Sequence, residues 1–176
     1  MSGMVGDQLV AKMWKGVYVV GSIPQFPDKR DWSEAQEAHH IRFREAVSYA
    51  KSMLRNPETR ELYEAESEGK DLTPYNAAVA DYLNAPKVVN VDTYDYTGAP
   101  GEEIRVKVLD DLIVTHVRVA IVVDGKILEQ GEAVQDDTVD LFWIYTTTEA
   151  NEHESYVIRV TATDLPGNRT VEEFET

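Results

Sequence analysis

The spacing of apolar residues changes near Pro86, and this change limits the folds open to the chain. Before Pro86, apolar residues recur every three or four positions, as on one face of a helix. After it they alternate with polar residues, as in strands with one buried face. The alternating segments cover 89–94, 104–108, 115–123, 126–130, 141–147, 155–163 and 169–175. The pattern predicts an α+β chain: a helical N-terminal module followed by an all-β sandwich of about seven strands.

Three helix starts precede Pro86, and each has a side chain that can cap the free backbone amides of a first turn. The capping pairs are Ser33 with Gln36, Asn56 with Pro57, and Thr73 with Pro74. Proline in a first turn is harmless because its missing N–H would have no helical partner there. The predicted helices cover 34–55, 57 to about 69, and 74 to about 86.

A short apolar segment, Trp14–Gly21, lies ahead of these helices and is typical of a strand or hairpin arm. Pro24 and Pro27 favour an extended linker between this strand and the first helix. The strand has no evident local partner, so we expect it to pair with a sheet edge, its own or that of another protein molecule. Charged residues interrupt the N-terminal stretch, so no signal peptide or membrane span is visible, and the compartment stays open.

Charge is distributed unevenly. Residues 1–87 carry a net charge of −2 and residues 88–176 a net charge of −13. This asymmetry, with the change of period, places a module boundary near Pro86 and predicts domains 1–86 and 87–176. The acidic second half would repel a phosphate backbone, so we expect no nucleic-acid partner.

Residues in the second half also carry a family resemblance. An acidic pair, Asp110 and Asp111, precedes the third strand, Trp143 lies in a later strand, and Tyr156 begins a strand that ends in "ATDLPGN". This pattern resembles bacterial Ig-like domains over residues 88–175, which implies an immunoglobulin-like sandwich. The first half resembles bacterial proteins of uncharacterised function that pair "WKG" (14–16) with a helix carrying Gln36, Arg42 and Phe43. Neither resemblance implies an activity, because such sandwiches host many roles.

Catalytic motifs are not found in the sequence. There is no cysteine, no G-x-S-x-G elbow and no glycine-rich phosphate loop. Glu37 and His40 have the spacing of a di-iron helix, but no second Glu-x-x-His motif accompanies them. We therefore expect a non-enzymatic protein without a cofactor. An enzyme of unknown type stays open as an alternative, and it would need a concave pocket with convergent titratable residues.

Calcium is the one metal that the sequence makes a candidate. Hard cations bind carboxylate and carbonyl oxygens, and three acidic turns could meet at one end of a sandwich. Their candidate ligands are Asp110, Asp111, Asp137, Asp164 and Asn168. A purely structural interpretation of the last turn stays open, because Pro166 and Gly167 suit the central positions of a type II turn.

These observations favour an assembly or interaction module, with self-association or a protein partner at the strand Trp14–Gly21. Two other binding functions stay open: a calcium-dependent module, and a carbohydrate-binding adhesion module. The second would need an exposed aromatic platform, for which Tyr94, Tyr96 and Tyr145 are the candidates.

Overall fold

The computed structural model describes residues 3–5, 9–14, 16–22 and 32–175. The predicted linker around Pro24 and Pro27 lies outside these residues. The chain forms two compact units, Met1–Ala38 and His39–Thr176. Within the described ranges, no helix is both long enough and apolar enough to cross a bilayer.

Strands of the first unit are β1 (Gly3–Val5), β2 (Leu9–Trp14) and β3 (Val17–Ser22), which form an antiparallel sheet in that order. Trp14 pairs with Val17, and Gly16, just before β3, has a φ of 82°. The segment Trp14–Gly21 is therefore not a single strand: Trp14 ends β2, and Val17 begins β3. The expectation that it lacks a local partner was wrong, because β2 pairs with it.

Helices α1 (Glu34–Met53), α2 (Pro57–Ser67) and α3 (Pro74–Leu83) confirm the three predicted helices. Their caps are also those expected from the sequence. The Ser33 hydroxyl accepts from the Gln36 amide (3.3 Å) and the Gln36 side chain accepts from the Ser33 amide (3.0 Å). Asn56 and Thr73 cap α2 and α3 through their side-chain oxygens.

The second half is a β-sandwich. Its strands are β4 (Lys87–Asp92), β5 (Glu103–Leu109), β6 (Val114–Val123), β7 (Lys126–Glu132), β8 (Val134–Gln135), β9 (Phe142–Thr146), β10 (Val157–Asp164) and β11 (Arg169–Glu175). They form two antiparallel sheets, β4-β5-β9-β8 and β11-β10-β6-β7. The seven predicted strands are confirmed, and the two-residue β8 is additional.

The core of the sandwich lies between the inner faces of its two sheets. Ile104 and Val106 of β5 pack in one cluster with Val119 of β6 and Val160 of β10. All four have no exposed surface. Alternation along these strands therefore separates core from solvent as the sequence pattern predicts.

A second core joins the helices to the sandwich. Tyr63 of α2 and Ala78 of α3 are fully buried there, and Leu112, from the loop between β5 and β6, packs against the same cluster. The Thr170 hydroxyl of β11 donates to the Pro86 carbonyl. Helices and sandwich therefore share contacts within one compact unit, His39–Thr176, and the predicted domains 1–86 and 87–176 meet inside it.

Candidate cation site between helix α3 and the sandwich

The turn that follows β10 is organised by Asp164. Its carboxylate oxygen Oδ1 accepts from the backbone amides of Gly167 (2.8 Å) and Asn168 (2.6 Å). Gly167 has a φ of 94°, as the predicted type II turn requires at its second central position. Asp164 is 2 % exposed. Local hydrogen bonds therefore satisfy one oxygen atom of this buried carboxylate.

The side chain of Asn168 connects this turn to the end of α3. Its amide nitrogen donates to the carbonyl oxygens of Asp81 (3.2 Å), Tyr82 (3.2 Å) and Asn84 (2.9 Å). It also donates to Oδ2 of Asp164, at 2.8 Å. The last carbonyls of a helix have no intrahelical donor, so Asn168 acts as a side-chain cap for α3. The sequence predicted Asn168 as an oxygen ligand, but its nitrogen faces the carbonyl groups.

Three carboxylates meet beside this cap. Asp81 of α3, Asp110 of the loop after β5, and Asp164 each contribute an oxygen atom, and these atoms lie within 4.8 Å of one another. Asp81 is 1 % exposed. Its Oδ1, and both carboxylate oxygens of Asp110, are inaccessible to solvent and accept no hydrogen bond of regular geometry from the described residues. Buried carboxylate oxygens without a partner are costly, so a proton, a water molecule or a cation at this cluster would be stabilising.

The pKa of the Asp81 carboxyl is raised to about 7, mainly by burial and also by the negative charges of Asp110, Asp164 and Asp111. The hydrogen bond from Tyr63 opposes this shift. Burial also raises the pKa of Asp110. The backbone amide of Asp111 lies near the Asp110 carboxylate and opposes this shift, but the geometry between the two groups is not that of a regular hydrogen bond. Both shifts have the sign expected for carboxylates that are desolvated next to like charges.

Two tyrosines support Asp81 from the helical side. The Tyr63 hydroxyl donates to Oδ2 of Asp81 at 2.6 Å, and it lies 2.9 Å from the Tyr49 hydroxyl. Burial raises the pKa of Tyr63, and burial also raises the pKa of Tyr49 to about 12. Both hydroxyls therefore remain protonated at neutral pH, which leaves Tyr63 a permanent donor to Asp81.

The other predicted ligands lie outside the three-carboxylate cluster. Asp111 is exposed, and its Oδ2 accepts from the Asn84 side chain at 2.6 Å. Asp110 and Asp111 also line a surface recess of about 240 Å³ beside the cluster. Asp137 is exposed in the loop between β8 and β9. Its neighbour Asp136 organises that loop, because it accepts from Thr138.

Asp81 is the cluster member that the sequence reasoning missed. Helical periodicity could have identified it, because Ala77, Ala78 and Asp81 share the buried face of α3. An aspartate at a position that faces the core is unusual, because buried carboxylates require a partner.

The aromatic platform suggested for carbohydrate binding does not form at the predicted residues. Tyr96 and Tyr145 belong to the sandwich core, at 6 % and 4 % exposure. Tyr94 is 89 % exposed and is not part of that core. His39 and His40 are both exposed on α1. None of these residues takes part in the carboxylate cluster.

The chain matches no protein-family model and no curated protein sequence. Among solved structures it is similar to CopC from Methylosinus trichosporium OB3b, at 14 % identity and a TM-score of 0.39, over 51 % of this chain and 89 % of that one. It is also similar to an engineered protein (18 % identity, TM-score 0.38), over 58 % of this chain and 26 % of that one. A conjugative transposon lipoprotein from Bacteroides eggerthii DSM 20697 is a third (16 % identity, TM-score 0.28; 51 % and 92 % covered). None of these likenesses extends to function.

Proposed function

We propose that the protein is a non-enzymatic binding module in which a calcium ion fastens α3 to the sandwich. One observation carries the proposal: Oδ1 of Asp81 and both oxygens of Asp110 are buried without a hydrogen-bond donor, next to Asp164. The three residues come from a helix, a loop and a strand end. A cation among them would therefore join elements that are distant in sequence.

Electrostatics favour a cation at this place. Three carboxylates lie together, and the C-terminal end of α3, with its partial negative charge, adds to their potential. A single shared proton would neutralise one charge only. A divalent cation neutralises two and can bind several oxygens at once.

Calcium fits the chemistry of the donors better than a transition metal. The cluster offers carboxylate oxygens from three residues, and calcium takes six to eight oxygen ligands in flexible geometry. Magnesium demands near-octahedral geometry and keeps several waters, which suits this buried cluster less well. Because these oxygens are inaccessible to solvent, a substrate could not reach them, and this supports a structural role over a catalytic one.

We also propose that the sandwich is immunoglobulin-like. Labelling β4, β5, β6, β7, β8, β9, β10 and β11 as strands A, B, C, C′, D, E, F and G gives sheets ABED and GFCC′. The first is the ABED sheet of immunoglobulin domains, and the second is their CFG sheet extended by C′. This agreement supports the fold resemblance and assigns no ligand.

Calcium binding to the full chain tests the main proposal. Melting temperature at about pH 7.5 should rise by roughly 5 °C or more when free calcium is about 100 times its dissociation constant, and chelator should reverse the rise. Asp110→Asn should abolish the response, because it removes charge from the cluster. Asp137→Asn is the matched control: it changes the same residue type on an exposed loop and should keep the full response.

Equal melting temperatures of the wild type in calcium and in chelator would overturn this proposal. A calcium response that survives in Asp110→Asn would overturn it as well, because the ion would then bind elsewhere. Isothermal titration of the same variants gives the stoichiometry, which we expect to be one ion per chain.

A second candidate function is self-association through β3, and the exposure of that strand favours it. Every residue of β3 is exposed, including Val17, Tyr18, Val19 and Val20. In the described sheet β3 pairs only with β2, which leaves one edge open. An apolar edge strand is a template for adding another strand, and a second copy of β3 could pair with it antiparallel. Residues 1–38 carry a net charge of only −1, so they repel a copy far less than the sandwich does.

Light scattering coupled to size exclusion tests this second candidate. The wild type should be dimeric at micromolar concentration. Val19→Lys should shift it to monomer, because a charged lysine on an edge strand disfavours pairing with a second copy. Val89→Lys, which changes an exposed valine beside the bulge of β4, should remain dimeric. A monomeric wild type would contradict the candidate.

A further inference from the structure

Cationic side chains concentrate on the outer face of one sandwich sheet. Residues 88–176 contain six lysines and arginines, and three of them lie on the face of β6, β10 and β11 that points away from the core. These three are Arg118, Arg159 and Arg169. Glu132 and Glu173 form ion pairs with Arg118 and Arg159 on this face. Arg169 is the one of the three arginines that has no acidic partner among the described residues.

Strand register brings the relevant side chains into two adjacent rows. Thr163 lies between Arg169 of β11 and His116 of β6 in the first row. In the second row Thr161 lies opposite Arg118, which in turn lies opposite Glu132 of β7. The threonines are short and half-buried, and the flanking side chains are long and exposed. The result is a groove with a floor of hydroxyl groups and walls of charged groups.

This groove has a volume of about 420 Å³. Sites for small molecules fall between about 300 and 1,000 Å³. The charged side chains in its walls differ in whether they already have an ion-pair or hydrogen-bond partner. Arg118 is held by Glu132, with nitrogen–oxygen distances of 2.9 and 2.7 Å. The Arg169 guanidinium forms no ion pair or hydrogen bond with any described residue. Among the same residues, the hydrogen-bond partner of the His116 ring is the Thr115 hydroxyl, at Nδ1.

We propose that this groove binds a saccharide that carries a carboxylate, such as a hexuronic acid. The uncommitted guanidinium of Arg169, with His116 beside it, would bind the sugar carboxylate, because arginine pairs with carboxylates through two parallel hydrogen bonds. Thr161 and Thr163 would exchange hydrogen bonds with the ring hydroxyls, and the carboxylate of Glu132 would accept hydrogen bonds from them. The Glu132–Arg118 pair holds both of its members in place for that contact.

Charge limits the ligand to a small or sparsely charged one. A nucleic acid or a densely sulfated polymer would extend beyond the groove over the acidic remainder of the sandwich and be repelled. A uronic acid presents one negative charge and several hydroxyls, which matches a groove of two arginines, one glutamate and two threonines. This site is separate from the carboxylate cluster and is independent of the calcium proposal.

Nuclear magnetic resonance titration of the full, nitrogen-15-labelled chain in chelator tests the site. Sodium glucuronate should bind at millimolar concentration and shift amides of β6, β10 and β11. Glucose, which lacks the carboxylate, and acetate, which lacks the hydroxyls, should each bind at least about tenfold more weakly. The chelator keeps the calcium cluster out of the measurement.

Arg169→Gln should weaken glucuronate binding by about tenfold or more, because one charge-assisted pair is lost. Arg105→Gln is the control, since it makes the same charge change at an exposed position on the other sheet. Equal binding of glucuronate and acetate would overturn the proposal, as would equal weakening by the two variants. Binding of glucose as tight as that of glucuronate would also overturn it.

Discussion

Tyr63 donates a hydrogen bond of 2.6 Å to the carboxylate of Asp81, although the two residues lie on different helices and both are buried. The bond joins α2 to α3 at the point where the carboxylate cluster begins. It satisfies Oδ2 of Asp81 and leaves Oδ1 directed to the cluster without a donor. Tyr63 thus supports the candidate cation site from the side that faces away from the sandwich.

Removing the Tyr63 hydroxyl should destabilise the protein. Tyr63→Phe leaves Oδ2 of Asp81 buried without a donor, and it also deprives the Tyr49 hydroxyl of its partner. We expect the free energy of unfolding in urea to fall by about 1–3 kcal/mol. Tyr94→Phe is the control: Tyr94 is 89 % exposed, so the change should stay within about 0.5 kcal/mol. Equal effects of the two variants would contradict the buried bond.

Stability without calcium should decrease as pH rises toward 8. The pKa of Asp81 is raised to about 7 in the folded protein, against about 3.9 for an unfolded chain. The folded state therefore holds a proton that the unfolded state releases. This contribution is fully present below about pH 4 and is lost as pH rises through about 7. The raised pKa of Asp110 acts in the same direction.

Urea denaturation in chelator between about pH 5 and about pH 8 measures this effect. Asp81→Asn should flatten the decrease, because an amide does not titrate, whereas Asp95→Asn on an exposed position should retain it. Calcium should add most stability near pH 8 and least near pH 5, because it competes with the proton for the same oxygens. A calcium effect that is independent of pH would contradict a site at Asp81.

Local patterns made the fold predictable, and long-range contacts made the site hard to predict. Alternation located the seven longer strands of the sandwich, and capping residues located each helix, but strands β1 and β2 were not predicted. The turn chemistry of Asp164 and Gly167 also followed from sequence. Asp81, in contrast, lies 83 positions before Asp164, and only the folded chain brings them together. The packing of the helices against the sandwich was hard to predict for the same reason, because the period of a segment does not reveal what its apolar face packs against.

The ring of Tyr145 leaves no room for a side chain at Gly131 of β7. A Cβ atom at this position would lie 2.8 Å from the Tyr145 ring, whose hydroxyl donates to the buried Glu129 at 3.0 Å. Gly131→Ala should displace the ring, weaken that bond and lower the free energy of unfolding by about 1–3 kcal/mol. Gly21→Ala, where no atom lies within 4 Å, should be close to neutral. Denaturant unfolding of both variants decides whether the close approach matters.

Asn168 should contribute to stability as a hydrogen-bond donor and not as a cation ligand. Its amide nitrogen lies between the three carbonyl oxygens at the end of α3 and the carboxylate of Asp164. Asn168→Ala removes the donor, and we expect a loss of about 1–3 kcal/mol in the free energy of unfolding. Asn168→Asp keeps the size but places an acceptor and a negative charge among oxygens, so it should destabilise the protein more than alanine does.

Hydrogen exchange of the last turn of α3 localises this effect, because loss of the cap should expose amides there before those of the sandwich core. Asn76→Ala, at an exposed position on the same helix, is the control and should change exchange little. If Asn168 instead acted as an oxygen ligand, aspartate would preserve or strengthen calcium binding and stabilise the chain when calcium is present. The order of stability of the wild type, the alanine variant and the aspartate variant in calcium therefore distinguishes a cap from a ligand.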